Sequence, residues 1–460
     1  MGAVKIACLG GGSLYFPRAL GDLVLRDDLA GSEIAIYDID AEKAQLMVVL
    51  GRRLAHQAGA NLTIRVASGL EDAVDGAQYA ISSIGGSGAE ISTRVYQSYY
   101  HSADMHIPAK YGIQQIVGDT AGPAGMMMGL RSVPAYIAIC REMEQRCPEA
   151  ILLNHSNPMA VLCRAMDKYT GIKVIGICHG VQATIREAAE MLDLRPDQLE
   201  CTWIGTNHYY WILRAAHKGQ DLTARLADVF SDLGRRGSSH LAHRLSKLYG
   251  YKVGYPGAGH LVEFYSWATR AQKQGDLPYD LAEDAKSHGF DANASELAHQ
   301  TPSAEVKASF FRQYQAILDK TKLPDAATPG SASEEGVARM IAAIENGRRE
   351  VFIVNVANKG AILNLPREAS VEIEGVTDSS GVRGITVGEC PAVLKAILEK
   401  RFAWQELVAD AAVTGDRSLA LQALMLDEMA IHPDQAEDML EELLLASKDL
   451  LPQFFGNSRA

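Results

Sequence analysis

The segment that decides the fold lies at residues 4–15 and reads VKIACLGGGSLY. Its apolar run, Val4–Leu9, is typical of a buried strand, and the glycines that follow form a tight turn. Pro17 stands where a helix begins. Glu33–Tyr37 is a second apolar run, and it ends at Asp38. A strand, a glycine-rich turn, a helix and a second strand in this order predict a dinucleotide-binding βαβ unit.

The alternation of strands and helices continues outward from this unit. Further apolar runs lie at residues 62–66, 79–84, 150–153 and 173–177, and a helical pattern covers residues 40–58. Strands that alternate with helices favour a parallel sheet covered on both faces. We therefore predict an α/β protein in which residues 1–200 form an N-terminal Rossmann-type, doubly wound parallel sheet that binds NAD.

Helical patterns dominate the rest of the chain. They lie at residues 239–248, 333–345, 392–415, 418–430 and 435–451, and Val351–Asn355 is one of the short strand-like pieces between them. We predict a mostly helical α+β domain over residues 201–460, which carries the substrate site and the contacts between subunits.

Composition excludes several classes of protein. The 460 residues carry a net charge of −12, which argues against nucleic acid or an anionic membrane surface as partner. No apolar run approaches the roughly 18 residues of a membrane span, and Val4–Leu9 is too short for a signal peptide. Seven scattered cysteines without a CxxC motif suit a reducing compartment. The sequence predicts a soluble cytoplasmic enzyme.

The glycine turn is the predicted cofactor site. Gly10, Gly12 and Ser13 let the main chain approach a pyrophosphate at a helix N-terminus. Asp38 is placed to accept hydrogen bonds from both ribose hydroxyls and to repel a 2′-phosphate, which favours NAD over NADP. The pattern is imperfect because Tyr15 occupies the position of the third glycine. The alternative is a tight turn that binds no ligand.

Four short polar segments interrupt apolar stretches: Gly118–Thr120, Asn154–Pro158, Cys178–Gly180 and Gly205–His208. The last three directly follow predicted strands. Residues just beyond the carboxyl ends of the strands in a doubly wound sheet line its ligand crevice. These segments are therefore expected to converge.

Cys178 and His208 are candidate metal ligands, since a thiolate and an imidazole suit a divalent ion such as zinc. Two protein ligands are fewer than a structural site uses, so water or substrate oxygens would complete the coordination. The alternative is a buried cysteine and a histidine that bonds the main chain.

Together these segments resemble family 4 of the glycoside hydrolases, the NAD- and metal-dependent glycosidases. The resemblance extends to five further stretches, at residues 107–112, 118–125, 131–134, 260–264 and 364–366. It covers nearly the whole chain in the family's order.

The resemblance implies a reaction other than hydrolysis by two carboxylates. In the family, NAD⁺ oxidises C3 of the sugar, a metal-assisted step removes the C2 proton, and the aglycone leaves from C1. Water then adds and the hydride returns, so NAD is recycled. The family typically uses Mn²⁺, and its members suggest a homodimer or homotetramer here.

The resemblance also implies roles for individual residues. Cys178 and His208 match the metal ligands, and Asp119 matches an acidic position near the metal and the base. Asn157 matches the substrate-binding asparagine, and we predict the same role for Asn154.

Two histidines are candidates for proton transfer. His179 stands where phospho-sugar members carry an aspartate acid, so it either assists the leaving group or only orients the metal site. His260 is the predicted base, with Tyr255 and Tyr265 as alternatives, because imidazole can take a proton near neutral pH. Some relatives place an aspartate two residues before His260. Glu263 is predicted to bind the substrate or to support His260.

The substrate follows from finer resemblances. His101 aligns with an arginine that holds the 6-phosphate in phospho-sugar members, which argues against a phosphorylated sugar. Residues 104–120 resemble the corresponding stretch of α-galacturonidases, and residues 178–182 resemble that of α-galactosidases. The glycine at position 180 is similar to the residue that α-glucuronidases and α-glucosidases have there. We predict an α-glycosidase of a non-phosphorylated sugar, a galacturonide or glucuronide ahead of a galactoside or glucoside.

Two rival functions stay open. The first is an NAD-dependent 2-hydroxy-acid dehydrogenase, which has no use for Cys178. The second is a regulatory protein that binds NAD without turnover, and the polar residues at Asn157, Cys178 and His208 argue against it.

Overall fold

The computed structural model of the chain describes residues 3–85, 99–233, 239–254, 258–265, 267–268, 304–324 and 336–456. Its strands are β1 (Lys5–Leu9), β2 (Glu33–Tyr37), β3 (Thr63–Val66), β4 (Tyr79–Ser82), β5 (Ile151–Asn154), β6 (Lys173–Gly176), β7 (Glu200–Thr206), β8 (Tyr209–His217), β9 (Gln220–Asp221), β10 (Lys252–Gly254), β11 (Val351–Ala357), β12 (Ser370–Asp378) and β13 (Gly381–Gly384).

The α-helices are α1 (Phe16–Val24), α2 (Ala41–Ala58), α3 (Leu70–Val74), α4 (Tyr99–Lys110), α5 (Gly122–Arg146), α6 (Met159–Tyr169), α7 (Gly180–Met191), α8 (Thr223–Leu233), α9 (Ser239–Tyr249), α10 (Ala258–Val262), α11 (Ala304–Lys320), α12 (Val337–Glu345), α13 (Ala392–Thr414), α14 (Arg417–Leu426) and α15 (Pro433–Ala446). Within the described ranges, no helix is both long enough and apolar enough to cross a membrane.

Strands of the main sheet lie in the order β13-β12-β11-β6-β5-β4-β1-β2-β3. From β3 to β6 the neighbours are parallel and follow the doubly wound order 3-2-1-4-5-6, so the predicted fold class is confirmed. Strands β11, β12 and β13 extend this sheet in antiparallel pairing. The predicted domains, residues 1–200 and 201–460, therefore share one sheet. Their boundary stays a prediction.

Both faces of the parallel sheet are covered, as the unbroken apolar runs require. Successive side chains of a strand point to opposite faces, and β1 shows the result. Ile6 and Cys8 pack with residues of α1, α2 and α12, whereas Ala7 and Leu9 pack with residues of α5, α6 and α13. Helices from the C-terminal half thus complete both layers.

The C-terminal half contains strands as well as helices, as the predicted α+β class requires, and some of these strands had no clear sequence signal. A second sheet, in the order β10-β8-β7 with β9 beside β8, is antiparallel. Most residues of β8 are buried, so its sequence YYWILRAAH lacks the alternation of a half-exposed strand. The β7–β8 hairpin closes at Asn207–His208, which brings a candidate metal ligand to the tip of a tight turn.

Candidate active site

A cavity of about 610 Å³ lies at the carboxyl ends of the parallel strands. One end is lined by Gly10, Gly12 and Asp38, and the other end reaches Asp119 and Asn157. This is the position at which doubly wound sheets bind ligands. The predicted cofactor residues and part of the predicted chemical cluster thus share one cavity.

The glycine turn is too crowded for side chains at all three of its glycines, Gly10, Gly11 and Gly12. Gly10 has φ +69°, and an added Cβ would lie 2.3 Å from the carbonyl oxygen of Ser83. At Gly12, a Cβ would lie 2.7 Å from the Cβ of Lys43. The hydroxyl of Ser13 lies 2.9 Å from that of Ser83, which ties the turn to the end of β4. The packing of the turn against β2, β4 and α2 therefore requires glycine at these positions.

Asp38 is fixed by main-chain amides. Its Oδ2 accepts from the N–H of Gly12 at 2.8 Å, and its Oδ1 accepts from the N–H of Asp40 at 2.8 Å. Burial raises the pKa of Asp38, and these two hydrogen bonds oppose the shift. A carboxylate accepts about four hydrogen bonds, so each oxygen keeps a lone pair for a ribose hydroxyl.

Tyr15, which breaks the glycine pattern, has a contact that the sequence did not indicate. Its ring stacks on His155 with centroids 4.2 Å apart, and its hydroxyl lies 2.8 Å from Nε2 of that histidine. The side chain thus joins the glycine turn to the segment that carries Asn157.

Asp119, which lines the other end of the cavity, belongs to a cluster of ionisable side chains. One atom each of Asp119, His208 and His260 lie within 4.8 Å of one another. Nδ1 of His260 is 3.5 Å from Oδ1 of Asp119, and the two imidazole centroids are 4.4 Å apart. Ligand atoms about 2.0–2.3 Å from one ion lie no more than about 4.6 Å apart, so the spacing suits a divalent cation after small adjustments.

Cys178 joins this cluster through His208. Its Sγ is 3.4 Å from Nε2 of His208 and accepts from the N–H of Gly180 at 3.4 Å, at the start of α7. A helix N-terminus favours a thiolate. The structure therefore brings the two predicted metal ligands together, and it adds Asp119 and His260 as possible donors.

The tautomer of His208 follows from its neighbour. Thr120 donates its one hydroxyl hydrogen to Oδ1 of Asp119 at 2.5 Å, and its oxygen lies 2.9 Å from Nδ1 of His208. That oxygen must therefore accept from Nδ1–H, which leaves Nε2 with a free lone pair facing Cys178. Burial lowers the pKa of His208 to about 3, so the ring is neutral, as a metal ligand must be.

Asp119 is the negative centre of the cluster. Burial alone would raise its pKa, but electrostatic interaction with the imidazoles of His260 and His208 and its hydrogen bonds hold that pKa well below the usual range. The amide of Asn157 donates to Oδ2 of Asp119 at 2.9 Å. Asn157 thus lies at the cavity wall beside the cluster, where a substrate residue is expected.

Two predicted substrate residues, Asn154 and Glu263, have hydrogen bonds within the protein, and their substrate roles stay predictions. Asn154 is buried, and its Oδ1 accepts from the hydroxyl of Tyr136 at 2.7 Å and the N–H of Ser156 at 3.1 Å. Its amide donates to the carbonyl of Ser156 at 3.1 Å. Because these atoms are bonded within the protein, Asn154 shapes the segment before Asn157 and does not line the cavity.

Glu263 is also occupied. Its Oε1 accepts from the successive N–H groups of Ile116, Val117 and Gly118 at 2.7, 2.8 and 2.9 Å. Burial raises its pKa to about 8 against the effect of these bonds. Oε1 thus holds the segment that leads into Asp119, whereas Oε2 is buried without a hydrogen-bond partner among the described residues. Both predicted roles of Glu263, substrate binding and support of His260, stay predictions.

The proton-transfer candidates occupy different surroundings. His179 is exposed at the start of α7, directly after Cys178, and the side chain of His260 is 15% exposed. Tyr265 is buried, and its hydroxyl accepts from that of Tyr209 at 3.0 Å, within a group of aromatic rings. Tyr255 lies outside the described residues. His260, in contrast, contacts Asp119 of the cluster.

Sequence reasoning gave no role to two residues of this region. Thr120 belongs to a recognised polar segment, yet its link between Asp119 and His208 depends on the folded chain. Glu372 is fully buried on β12, and its Oε1 accepts from Nδ2 of Asn355 at 3.0 Å. Nothing in the local sequence marks Glu372 except a carboxyl group at an inward position of an apolar strand.

Comparison with known proteins gives the family. The model described as "Family 4 glycosyl hydrolase" matches residues 5–194, and the one described as "Family 4 glycosyl hydrolase C-terminal domain" matches residues 203–430. The chain belongs to glycosyl hydrolase family 4. The resemblance stated from the sequence is thereby confirmed, and this family 4 chain is a glycoside hydrolase.

Relatives of this family 4 member act on different sugars. An alpha-galactosidase of Bacillus subtilis is 30% identical over 98% of this chain and 99% of its own length. An alpha-galacturonidase of the same organism is 31% identical over 96% and 97%. A solved 6-phospho-alpha-glucosidase from gut microorganisms, in complex with NAD and Mn²⁺, superposes with a TM-score of 0.77 at 20% identity over 98% of this chain and 100% of that chain. The last likeness shows a shared fold.

Proposed function

We propose that this family 4 enzyme hydrolyses α-glycosides of a non-phosphorylated sugar with the help of NAD and Mn²⁺. A uronide such as a galacturonide or glucuronide is the favoured substrate, and an α-galactoside or α-glucoside is the alternative. The enzyme would act in the cytoplasm as a homodimer or homotetramer.

One observation carries the proposal: a cavity lined by Gly10, Gly12 and Asp38 at one end reaches the Asp119 cluster at the other. The reaction needs a hydride acceptor, a Lewis acid and a base around one sugar ring. A nicotinamide placed by the glycine turn and a cation held by the cluster would meet within this cavity. A dehydrogenase of 2-hydroxy acids would need the nicotinamide and not the metal ion.

The donor set suits a metal that keeps open positions. Cys178 and His208 would hold the ion, since Nε2 of His208 is unprotonated and faces the sulfur. When bound, Mn²⁺ supplies Lewis-acid stabilisation of negative charge that develops on the sugar oxygens, and NAD⁺ supplies reversible hydride transfer. Asn157, held by Asp119, would orient the sugar.

His260 is the proposed base. It lies beside Asp119, and attraction between the two charged groups is a cause of the low pKa of Asp119. The same attraction stabilises the imidazolium that forms when His260 takes a proton. Glu263, three residues later, holds the segment before Asp119 and so keeps His260 and Asp119 close together. His179, exposed next to Cys178, is the candidate that assists the leaving group.

The packing of His101 on α4 supports the proposal that the sugar carries no phosphate. The side chain of His101 is buried, and its Cε1 would lie 3.1 Å from a Cβ added to Gly118. The position that carries an arginine in phospho-sugar members is thus filled by a packed imidazole. The preference for a uronide is supported by the resemblance of residues 104–120 to α-galacturonidases.

The test measures release of nitrophenol from α-galacturonide, α-glucuronide, α-galactoside and α-glucoside, with a 6-phosphoglucoside as the contrasting substrate. Each is assayed under reducing conditions with and without NAD⁺ and Mn²⁺. We expect release from one of the first four that requires both additions and yields no net NADH. Release from the 6-phosphoglucoside alone would refute the non-phosphorylated substrate. Accumulation of NADH on a hydroxy acid, without release from any glycoside, would favour the dehydrogenase.

A further inference from the structure

A row of residues crosses the main sheet at the level of the active site. Strand register pairs Asn154 with Gly176, Gly176 with Asn355, and Asn355 with Glu372. Cys178 follows two residues after Gly176 on the same chain segment. The row therefore connects the metal-ligand segment on the parallel side of the sheet with β12, an antiparallel strand from the C-terminal half.

Glu372 ends this row as a buried, incompletely bonded carboxyl group. Its Oε1 accepts from Asn355, whereas its Oε2 has no hydrogen-bond partner among the residues that the structure describes. Burial raises the pKa of Glu372 to about 7, and the side chain of Asn207 and the main-chain N–H of His208 act against that shift. A carboxyl group is rarely buried in this way without a function or a partner.

The turn that Glu372 faces has an unusual backbone. His208 has φ +63°, in the left-handed region that non-glycine residues seldom adopt. Such a conformation persists where the surroundings enforce it. Nε1 of Trp203 donates to the carbonyl of Glu372 at 2.8 Å, and the hydroxyl of Thr206 donates to the carbonyl of Ser370 at 2.9 Å. Strand β12 therefore fastens β7 up to the start of the turn.

These two bonds hold β7 as far as Thr206, the residue before the Asn207–His208 turn. Neither amide atom of Asn207 has a hydrogen-bond partner at normal distance within the described part of the chain. The amide of Asn207 and Oε2 of Glu372 are thus two buried groups without partners among the described residues, and β12 is joined to β7 at Thr206, the residue before Asn207. Loss of a group that orients a metal ligand typically lowers metal affinity or activity by about 10–100-fold.

We propose that Glu372 is a positioning residue for the metal centre. Its carboxylate holds the Asn207–His208 turn in the left-handed conformation that directs Nε2 of His208 towards Cys178. The inference rests on the proposed function, in which His208 binds the metal, and it adds a residue that touches neither the metal nor the sugar.

The test compares Glu372→Gln with Glu374→Gln, the same change at an exposed position of the same strand. Glutamine keeps one acceptor oxygen, but its NH₂ group then faces the N–H donors of either Asn355 or the Asn207–His208 turn and cannot accept a hydrogen bond from them. Mn²⁺ affinity is measured by the electron paramagnetic resonance of free Mn²⁺ on the NAD⁺-loaded protein. NAD⁺ affinity and the melting temperature without metal are measured in parallel.

We expect Mn²⁺ affinity to fall roughly tenfold or more in Glu372→Gln, with NAD⁺ affinity unchanged and Glu374→Gln equal to the wild type. Equal Mn²⁺ affinity in Glu372→Gln would overturn the proposal. A parallel loss of NAD⁺ affinity would also overturn it, because it would show a general role in folding.

A second variant covers the case in which Glu372→Gln does not fold. Asn355→Ala removes the donor that fixes Oε1 of Glu372, and we expect a smaller, selective loss of Mn²⁺ affinity. If Asn355→Ala binds Mn²⁺ like the wild type, the positioning role is refuted. A wild-type protein that binds no Mn²⁺ would refute the proposed function itself, which is a different result from either variant's failure.

Discussion

The two ends of the cavity are built in different ways. The cofactor end comes from one continuous segment, in which Gly10–Ser13 and Asp38 directly follow the neighbouring parallel strands β1 and β2. The chemical end is assembled from Asp119, Asn157, Cys178, His208 and His260, each on a separate segment. The first end depends on local chain geometry. The second depends on strand register, a left-handed turn and buried hydrogen bonds from distant residues.

The largest expected effect separates the two ends outright. His208→Ala removes an imidazole of the chemical end, so we expect Mn²⁺-dependent hydrolysis to fall about a thousandfold, because metal assistance contributes several kcal/mol. NAD⁺ affinity, measured by protein fluorescence, is expected to stay within about twofold. His432→Ala, at a side chain that is 67% exposed, is the control. A comparable loss of NAD⁺ affinity would show that the two ends are not independent.

Cys178→Ser tests the chemical end in a second way, because it replaces a soft thiolate ligand with a hard hydroxyl. A hydroxyl is a poorer ligand than a thiolate, so we expect roughly a hundredfold loss of activity at low Mn²⁺, partly restored by excess Mn²⁺. Cys201→Ser, a partly exposed cysteine of β7, is the control. Activity and metal dependence that match the wild type in Cys178→Ser would remove Cys178 from the ligand set.

At the cofactor end, Gly10→Ala is expected to weaken NAD⁺ binding about thirtyfold and to lower the free energy of unfolding by about 2–3 kcal/mol, since its Cβ meets a main-chain carbonyl. Gly59→Ala is the matched control, because Gly59 has φ +65° but nothing within 4 Å of the added Cβ. It should cost only about 1 kcal/mol in unfolding experiments. Equal losses in both variants would mean that the crowding at Gly10 has no effect.

Asp38→Asn gives the smallest expected change. Loss of a charged acceptor is expected to weaken NAD⁺ binding about tenfold and to reduce discrimination against NADP⁺, because the repulsion of a 2′-phosphate is removed. Titration of both dinucleotides measures the ratio, with Asp27→Asn at an exposed position as control. An unaltered ratio of affinities would argue that another group selects the dinucleotide.

The parts that the sequence predicted are those governed by local rules. The glycine turn, Asp38 and the parallel strands follow from apolar runs and turn residues. The buried strand β8 and the antiparallel strands β12 and β13 were missed, since burial on both faces hides the strand period. The contacts of Asn154 and Glu263 depend on partners far away in the chain, and no local pattern encodes them.

Strand β11 has a consequence for synthesis of the chain. Its neighbour in the sheet, β6, ends at Gly176, whereas β11 begins at Val351, about 175 residues later. At about 5–20 residues per second, the edge of β6 waits roughly 10–35 s on the ribosome before its partner emerges. An uncovered parallel edge is a template for wrong pairing. A nascent chain halted within that interval is therefore expected to be the form that chaperones retain and that aggregates first.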